Sequence, residues 1–188
     1  MNLEFIPSLA IGWLNGWVFL ALFALTELIH IKLCNKEVAT RLFDRKNWTQ
    51  TQVIFTIIGK ISTLINIILF FLSPLKITSI EFVIGVILYS IGLVGLHVAI
   101  YNFRKAPLDK PITTGLYKIS RNPQLFTIYI SFLGICLVIG SWISIILLIV
   151  SIIGGHFGIL GEEKRLLEQY GESYTEYKKK VPRYFLFF

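Results

Sequence analysis

The sequence predicts an all-α integral membrane protein with about five transmembrane helices, a C-terminal helical hairpin and a cytoplasmic amphipathic helix. Three observations point there. The 188-residue chain is 55% hydrophobic and only 15% charged, far from the balance of a soluble domain. Its apolar residues gather in runs of about 20, the length a helix needs to cross the hydrocarbon core. Its basic residues fall almost wholly between those runs, in alternate connections.

The apolar segments are roughly 9–31, 53–73, 81–101, 124–140 and 142–160. The first is rich in Leu, Phe and Trp, with Glu27 and His30 only near its end. No Lys or Arg precedes it, so it lacks the basic start of a signal peptide and reads as a permanent anchor. Residues 32–52 form a connector in which an interfacial helix can hold Trp48. Pro74 closes the second segment. Lys60 within that segment is expected to face a partner inside the bundle, because charge is costly there, and Asn66 suits a helix–helix hydrogen bond. The loop 102–122 is broken by Pro107, Pro111 and Gly115. The fourth segment is short, and only Gly140 and Ser141 separate it from the fifth, as in a tight hairpin.

From Glu162 onward the sequence reads EEKRLLEQYGESYTEYK. Leu166, Leu167, Tyr170, Tyr174 and Tyr177 recur at helical spacing with charges between them, an amphipathic helix broken or bent at Gly171 that continues from the fifth segment and lies against the membrane surface or the other loops. The aromatic end VPRYFLFF suits the interface. No repeat or linker divides the chain, so residues 1–188 read as one domain, with three membrane helices in 1–101 and a second half in 102–188.

The net charge of +7 is explained by placement and not by nucleic acid. Of the 18 basic residues, all but Lys60 and Lys76 lie in 32–46, 104–121 or after 160. Five spans put those regions on one side, which the positive-inside rule makes cytoplasmic; the N-terminus then faces out and the C-terminus in. Cys34 and Cys136 fall on opposite sides and form neither a disulfide framework nor a CxxC pair. With three scattered histidines, no metal site is expected.

The hairpin makes the fourth and fifth segments neighbours. The polar stretch ITTGLYKISRNPQLF, residues 112–126, and the pair Glu162–Glu163 must then meet at one membrane surface. Arg104, Tyr117, Arg121, Asn122, His156, Glu162, Glu163 and Arg183 can gather there, with His97 and Tyr101 in reach. Mixed charge suits a zwitterionic ligand: an arginine for a carboxylate, carboxylates or aromatic faces for a cation. Gly154, Gly155, Gly158 and Gly161 thin one side of the fifth segment and let a helix or a ligand approach the backbone. Each residue also has a plainer use. The acidic pair can favour a helix start, Arg121 can be a topological anchor, Asn122-Pro123 can cap the fourth segment, and His156 and His97 can be packed polar residues. The lysine run 178–180 suits solvent or lipid phosphates. Glu27 and His30 can pair with each other.

This order of motifs, a Gly-x-Tyr, an Arg-Asn-Pro, a hairpin, a Glu-Glu and a Tyr-Gly-x-x-Tyr between Phe103 and Arg183, resembles the isoprenylcysteine carboxyl methyltransferases and their phospholipid methyltransferase relatives. The resemblance implies S-adenosylmethionine as cofactor and a lipophilic acceptor, with membrane lipid as its surroundings. It implies cofactor contacts from Gly115, Tyr117, Arg121, Asn122, Pro123, Leu125, Glu162 and Glu163, with Leu125 standing where many relatives have Tyr. Arg183 matches a basic residue near the family's C-terminus. The acceptor stays open between carboxylate, lipid amine and thiol. A carboxylate needs no base, only an arginine such as Arg104 or Arg183 to orient it. An amine must lose a proton, for which Glu163 or His156 is the candidate. Membrane sterol reductases, which use NADPH, share a similar C-terminal half, and an inactive membrane scaffold could keep the same architecture. No GxGxG follows a strand, which excludes a Rossmann-type methyltransferase.

Overall fold

The computed structural model describes residues 3–33, 48–104, 107 and 109–185, with side chains from Ile29 to Leu33 left aside. The connector with Cys34, Lys36, Arg41, Arg45 and Lys46, the residue Lys105, the side chains of His30 and Lys32, and the last three residues therefore lie outside the described residues.

Among the described residues the regular structure is helical. The helices are α1 (Trp17–Leu33), α2 (Gln50–Leu72), α3 (Ile80–Phe103), α4 (Pro123–Val138), α5 (Trp142–Tyr170) and α6 (Glu172–Lys180), with a 3₁₀ turn at Gly115–Lys118. Several start where their sequence dictates. Thr49 and Gln52 cap α2 reciprocally, Ser79 accepts from Phe82 N–H at the head of α3, and Pro123 opens α4 where its missing N–H costs nothing. By length and composition α2, α3 and α5 can each cross a membrane. Helix α4 has 16 residues, about 24 Å, and is short for a span on its own.

Two antiparallel helix pairs form the scaffold, and small residues bring each pair together. In the α3/α4 pair a Cβ at Gly85 would fall 2.6 Å from Gly134 O. In the α2/α5 pair Gly59 and Gly154 face each other, and a Cβ on Gly154 would fall 2.6 Å from Gly59 Cα. Lipid tails are as apolar as the helices, so packing and hydrogen bonds rather than the hydrophobic effect hold such pairs. Ser62 Oγ donates to Leu147 O (2.8 Å), Thr63 Oγ1 to Ser151 Oγ (3.0 Å), Ser151 Oγ to Gly59 O (3.2 Å) and Asn66 Nδ2 to Ser144 O (2.9 Å). At about 0.6 kcal/mol each, the four contribute roughly 2 kcal/mol. The Asn66 contact is the one its place in an apolar run predicts.

The hairpin turns at Gly140, whose φ of 63° favours glycine. Its end of the bundle holds the main core, where Phe70, Tyr89, Phe132, Ile135, Val138, Ile139 and Leu148 are buried together. Helix α1 joins that core through Phe19, edge-on to Tyr89 at 4.9 Å, and its Phe19 carbonyl accepts from Tyr89 Oη at 2.8 Å.

The first apolar segment differs from expectation. Residues 3–16 are not helical and run across the hairpin end as a strap. Ala10 and Gly16 N–H donate to Leu72 O and Ser73 O, and Trp142 N–H donates to Glu4 O. Asn15, buried, donates from Nδ2 to Ala10 O and Phe71 O, and Glu4 pairs with Lys76 at 2.8 Å. Backbone hydrogen bonds to the loops replace those a helix would make, so α1 starts only at Trp17. Trp48 likewise precedes the first turn of α2 and stands outside it.

Candidate functional site

From the hairpin turn, α5 runs past Glu163, 21 residues beyond Trp142 and about 30 Å away, so the acidic pair lies one membrane thickness from Gly140. As expected, the helix continues through Glu162 to Tyr170, where Gly171 breaks it and α6 begins. The break folds α6 back, and Tyr174, Tyr177 and Val181 pack together as a second small core.

The C-terminal segment then locks onto the polar loop. Arg121 N–H donates to Pro182 O at 2.9 Å, Ser120 Oγ donates to Arg183 O at 3.1 Å, and Tyr177 Oη donates to Tyr117 O at 2.7 Å. Gly115, at φ 59°, starts the 3₁₀ turn that carries Tyr117. A Cβ there would run into the Asn102 amide at the end of α3, so both backbone and space require glycine.

At the centre lies Glu163. Arg183 grips both its oxygens, Nε to Oε1 and Nη2 to Oε2, each at 2.9 Å. Arg121 Nη1 stands 3.3 Å from Oε1 and Lys178 Nζ 3.9 Å from Oε2. Three cations thus surround one carboxylate. Arg121 and Glu163 side chains are only 3% and 7% exposed; a buried charge pair of this kind must be well matched to survive. The hydrogen bond to Glu163 holds the Arg183 guanidinium above its ordinary pKa. Burial pushes the Tyr174 and Tyr177 hydroxyls up, helped at Tyr174 by the charge of Glu163 and opposed by Arg121. Arg121 Nε is buried with no hydrogen-bond partner, while Nη1 faces Glu163.

Arg121 borders a cavity of about 390 Å³ between α2, α4 and α5, closed by the 3₁₀ turn and α6, a size typical of small-molecule sites. Its wall includes the predicted residues Tyr117, Arg121, Asn122, Leu125, Glu162 and Glu163. The structure thus brings together most of the sequence-predicted set. Five other predicted residues support the wall or stand away from it. Gly115 and the buried Pro123 shape the backbone behind it. The Arg183 guanidinium reaches the wall through Glu163. His156 Nδ1 lies 2.9 Å from Tyr184 Oη and is not among the lining residues. Arg104 stacks its guanidinium over the Tyr101 ring at 4.3 Å, also off the wall. Asn122 precedes α4 without a capping side-chain bond; its Nδ2 instead points to Arg183 O at 3.5 Å.

A model of the phospholipid methyltransferase family matches residues 71–173, more than half of the chain. The chain belongs to that family. No match was found among curated proteins or among solved structures. Membership of the phospholipid methyltransferase family implies methyl transfer in a membrane setting. The matched span carries the Arg-Asn-Pro and Glu-Glu motifs, the hairpin between them and Gly171.

This phospholipid methyltransferase family member also lines its cavity with residues that sequence reading did not assign there. Trp48, Thr56 and Lys60 come from the α2 side, Gln124 and Ile128 from α4, and Arg165, Leu166, Tyr170, Tyr174 and Tyr177 from the outer end of α5 and from α6. The glycine stripe was a signal for some of them. Gly158 and Gly161 make room for the Trp48 ring, and a Cβ on Gly161 would fall 2.6 Å from it. Glu27 has His97 of α3 as an electrostatic neighbour; the His30 side chain, with which it could also pair, lies outside the described residues.

Proposed function

We propose that this protein transfers a methyl group from S-adenosylmethionine to a lipophilic acceptor, at the cytoplasmic face of a membrane, and that the cavity beside Arg121 is where transfer occurs. The observation that carries this reading is the Arg121 guanidinium, buried on the cavity wall with its Nε without a hydrogen-bond partner, inside a family motif. The donor set suits the cofactor. Arg121 would take its carboxylate, Glu162 its ammonium group or ribose, and the faces of Tyr117, Tyr170 and Trp48 its cationic and aromatic parts. When bound, the cofactor supplies an electrophilic methyl group on a sulfonium.

The chain's own contribution is then positioning and exclusion of water. Glu163, held by Arg183, fixes Arg121 against the wall. Leu125, Ile128 and Ile159 keep the inner part of the cavity apolar. Asn122 and Pro123 set the angle at which α4 leaves the loop, and Gly115 sets that of Tyr117. The acceptor reading is an isoprenylcysteine-like carboxylate or a lipid amine. For a carboxylate no base is required. For an amine, Glu162 on the wall is better placed to receive the proton than Glu163, whose oxygens Arg183 occupies, or His156, which faces Tyr184. The cytoplasmic face follows from the basic residues around the same end of the bundle, with five spans and an outward N-terminus.

Calorimetry of S-adenosylhomocysteine with the detergent-purified protein tests this. Wild-type binding that Arg121→Ala abolishes is expected. A folded, monodisperse wild type that does not bind would overturn the reading.

A further inference from the structure

Within the N-terminal strap, residues 10–15 make a tight loop held by hydrogen bonds to backbone oxygens. Asn15 Nδ2 donates to Ala10 O at 2.6 Å and to Phe71 O at 2.8 Å. Trp17 Nε1 donates to Gly12 O at 3.0 Å, and Leu75 N–H donates to Leu14 O at 2.9 Å. The apolar side chains between these ties are left outside. Ile11 is 93% exposed and Trp13 87%, and Leu9 and Leu14 are exposed as well. A loop that holds this much apolar surface outward marks an interaction site.

Its place in the fold says what covers it. Helix α2 has 23 residues, about 34 Å, slightly more than the hydrocarbon core. Phe71 and Leu72, to which the strap is tied, therefore lie at the edge of that core. Ile61, Leu64, Ile68 and Phe71, three or four residues apart, are exposed along one side of α2, the stripe that a span turns to lipid. Ile11, Gly12 and Trp17 share an apolar notch with Phe71 and Leu72, so the loop carries the stripe on past the end of the helix. Tryptophan is favoured at the boundary of headgroups and acyl chains. The ties above also satisfy Ala10 O, Gly12 O and Leu14 O, as backbone beside lipid requires.

We propose that this loop is an interfacial anchor, inserting Ile11, Trp13 and Leu14 into the leaflet at the hairpin end, with the lipid surface as its partner. Helices α1 and α4 have 17 and 16 residues, about 25 Å, less than the core thickness. The loop adds apolar surface at the end where α1 begins and α4 stops, and so sets the depth of the bundle. None of these side chains lines the cavity beside Arg121, so the proposal stands apart from the methyltransferase reading.

The test uses the full chain in phosphatidylcholine nanodiscs, one chain per disc, with Cys34 and Cys136 replaced by alanine. A nitroxide is attached at Ile11→Cys, Trp13→Cys or Ser8→Cys, and thermal unfolding checks that each is folded. The ratio of collisions with oxygen, which concentrates in lipid, to collisions with a water-soluble nickel chelate should be several-fold higher at positions 11 and 13 than at 8. Equal ratios at the three positions would overturn the proposal and put the loop in water. Shielding from both reagents at 11 and 13 would also overturn it and put the loop against protein. Trp13→Phe, without a label, gives a second reading. The part of the tryptophan emission that it removes should be quenched by brominated phosphatidylcholine, and an unquenched difference would defeat the anchor.

Discussion

Arg183 and Glu163, 20 residues apart, are joined by two parallel hydrogen bonds of 2.9 Å, which tie the C-terminal segment to α5. The same carboxylate steadies Arg121 at 3.3 Å. The pair therefore positions a cavity residue without reaching the cavity through Arg183 itself. Arg183→Ala is expected to weaken S-adenosylhomocysteine about tenfold, and Arg183→Lys to restore only part, because an ammonium cannot reproduce the planar fork. Calorimetry of both variants checks it; equal binding by Arg183→Ala and wild type would refute the positioning role.

Gly154 tests how α2 is held. A Cβ there would fall 2.6 Å from both Gly59 Cα and Phe55 O, backbone atoms that cannot turn aside. Gly154→Val should destabilise the protein by about 1–3 kcal/mol. It should also lower S-adenosylhomocysteine affinity, since Trp48 and Thr56 reach the cavity from the α2 side. Thermal unfolding in detergent reads the first effect and calorimetry the second. An unchanged unfolding temperature would mean that α2 does not pack here.

Tyr177 gives a pH dependence. Burial raises its pKa from 10.0, so above pH 10 the unfolded chain loses this proton while the folded chain keeps it. Fewer protons bound by the unfolded state means that stability falls as pH rises. The contribution is complete below pH 10 and lost progressively above it. Tyr177→Phe should cost about 1 kcal/mol near neutrality, through the lost hydrogen bond to Tyr117 O, and should flatten the alkaline decline. Unfolding measured from pH 8 to pH 11 compares the two; parallel curves would exclude Tyr177 as a source.

The orientation is testable by thiol labelling of intact cells, in a background with Cys34 and Cys136 replaced by alanine. Ser8 and Lys118 are exposed at opposite ends of the bundle. Ser8→Cys should react with an impermeant reagent from outside, and Lys118→Cys only after permeabilisation. Reversed labelling would overturn the proposed topology.

Much of this architecture was legible because its causes are local. Apolar runs give the helices, Pro74 and Gly140 give the stops, and Gly171 breaks the last stretch. The motif 115–123 and the acidic pair could be placed together because a two-residue turn leaves α4 and α5 no other arrangement. The start of α1 was not legible, since hydropathy reports transfer into lipid, not which partner a backbone N–H will find. At Ala10 and Gly16 that partner is the C-terminal end of α2, Leu72 O and Ser73 O.

What the sequence by itself determined is thus a helical membrane protein with a conjoined polar loop and Glu-Glu pair, because residue periodicity and turn chemistry act over a few positions. Only tertiary structure decided which side chains share the cavity. The antiparallel register of α2 on α5 brings Trp48, Thr56 and Lys60 to it, and the fold of α6 brings Arg183 to Glu163 while His156 meets Tyr184 instead. The first depends on the approach of Gly59 to Gly154 between distant helices, the second on where the chain lands after the break at Gly171, relations that no local pattern encodes.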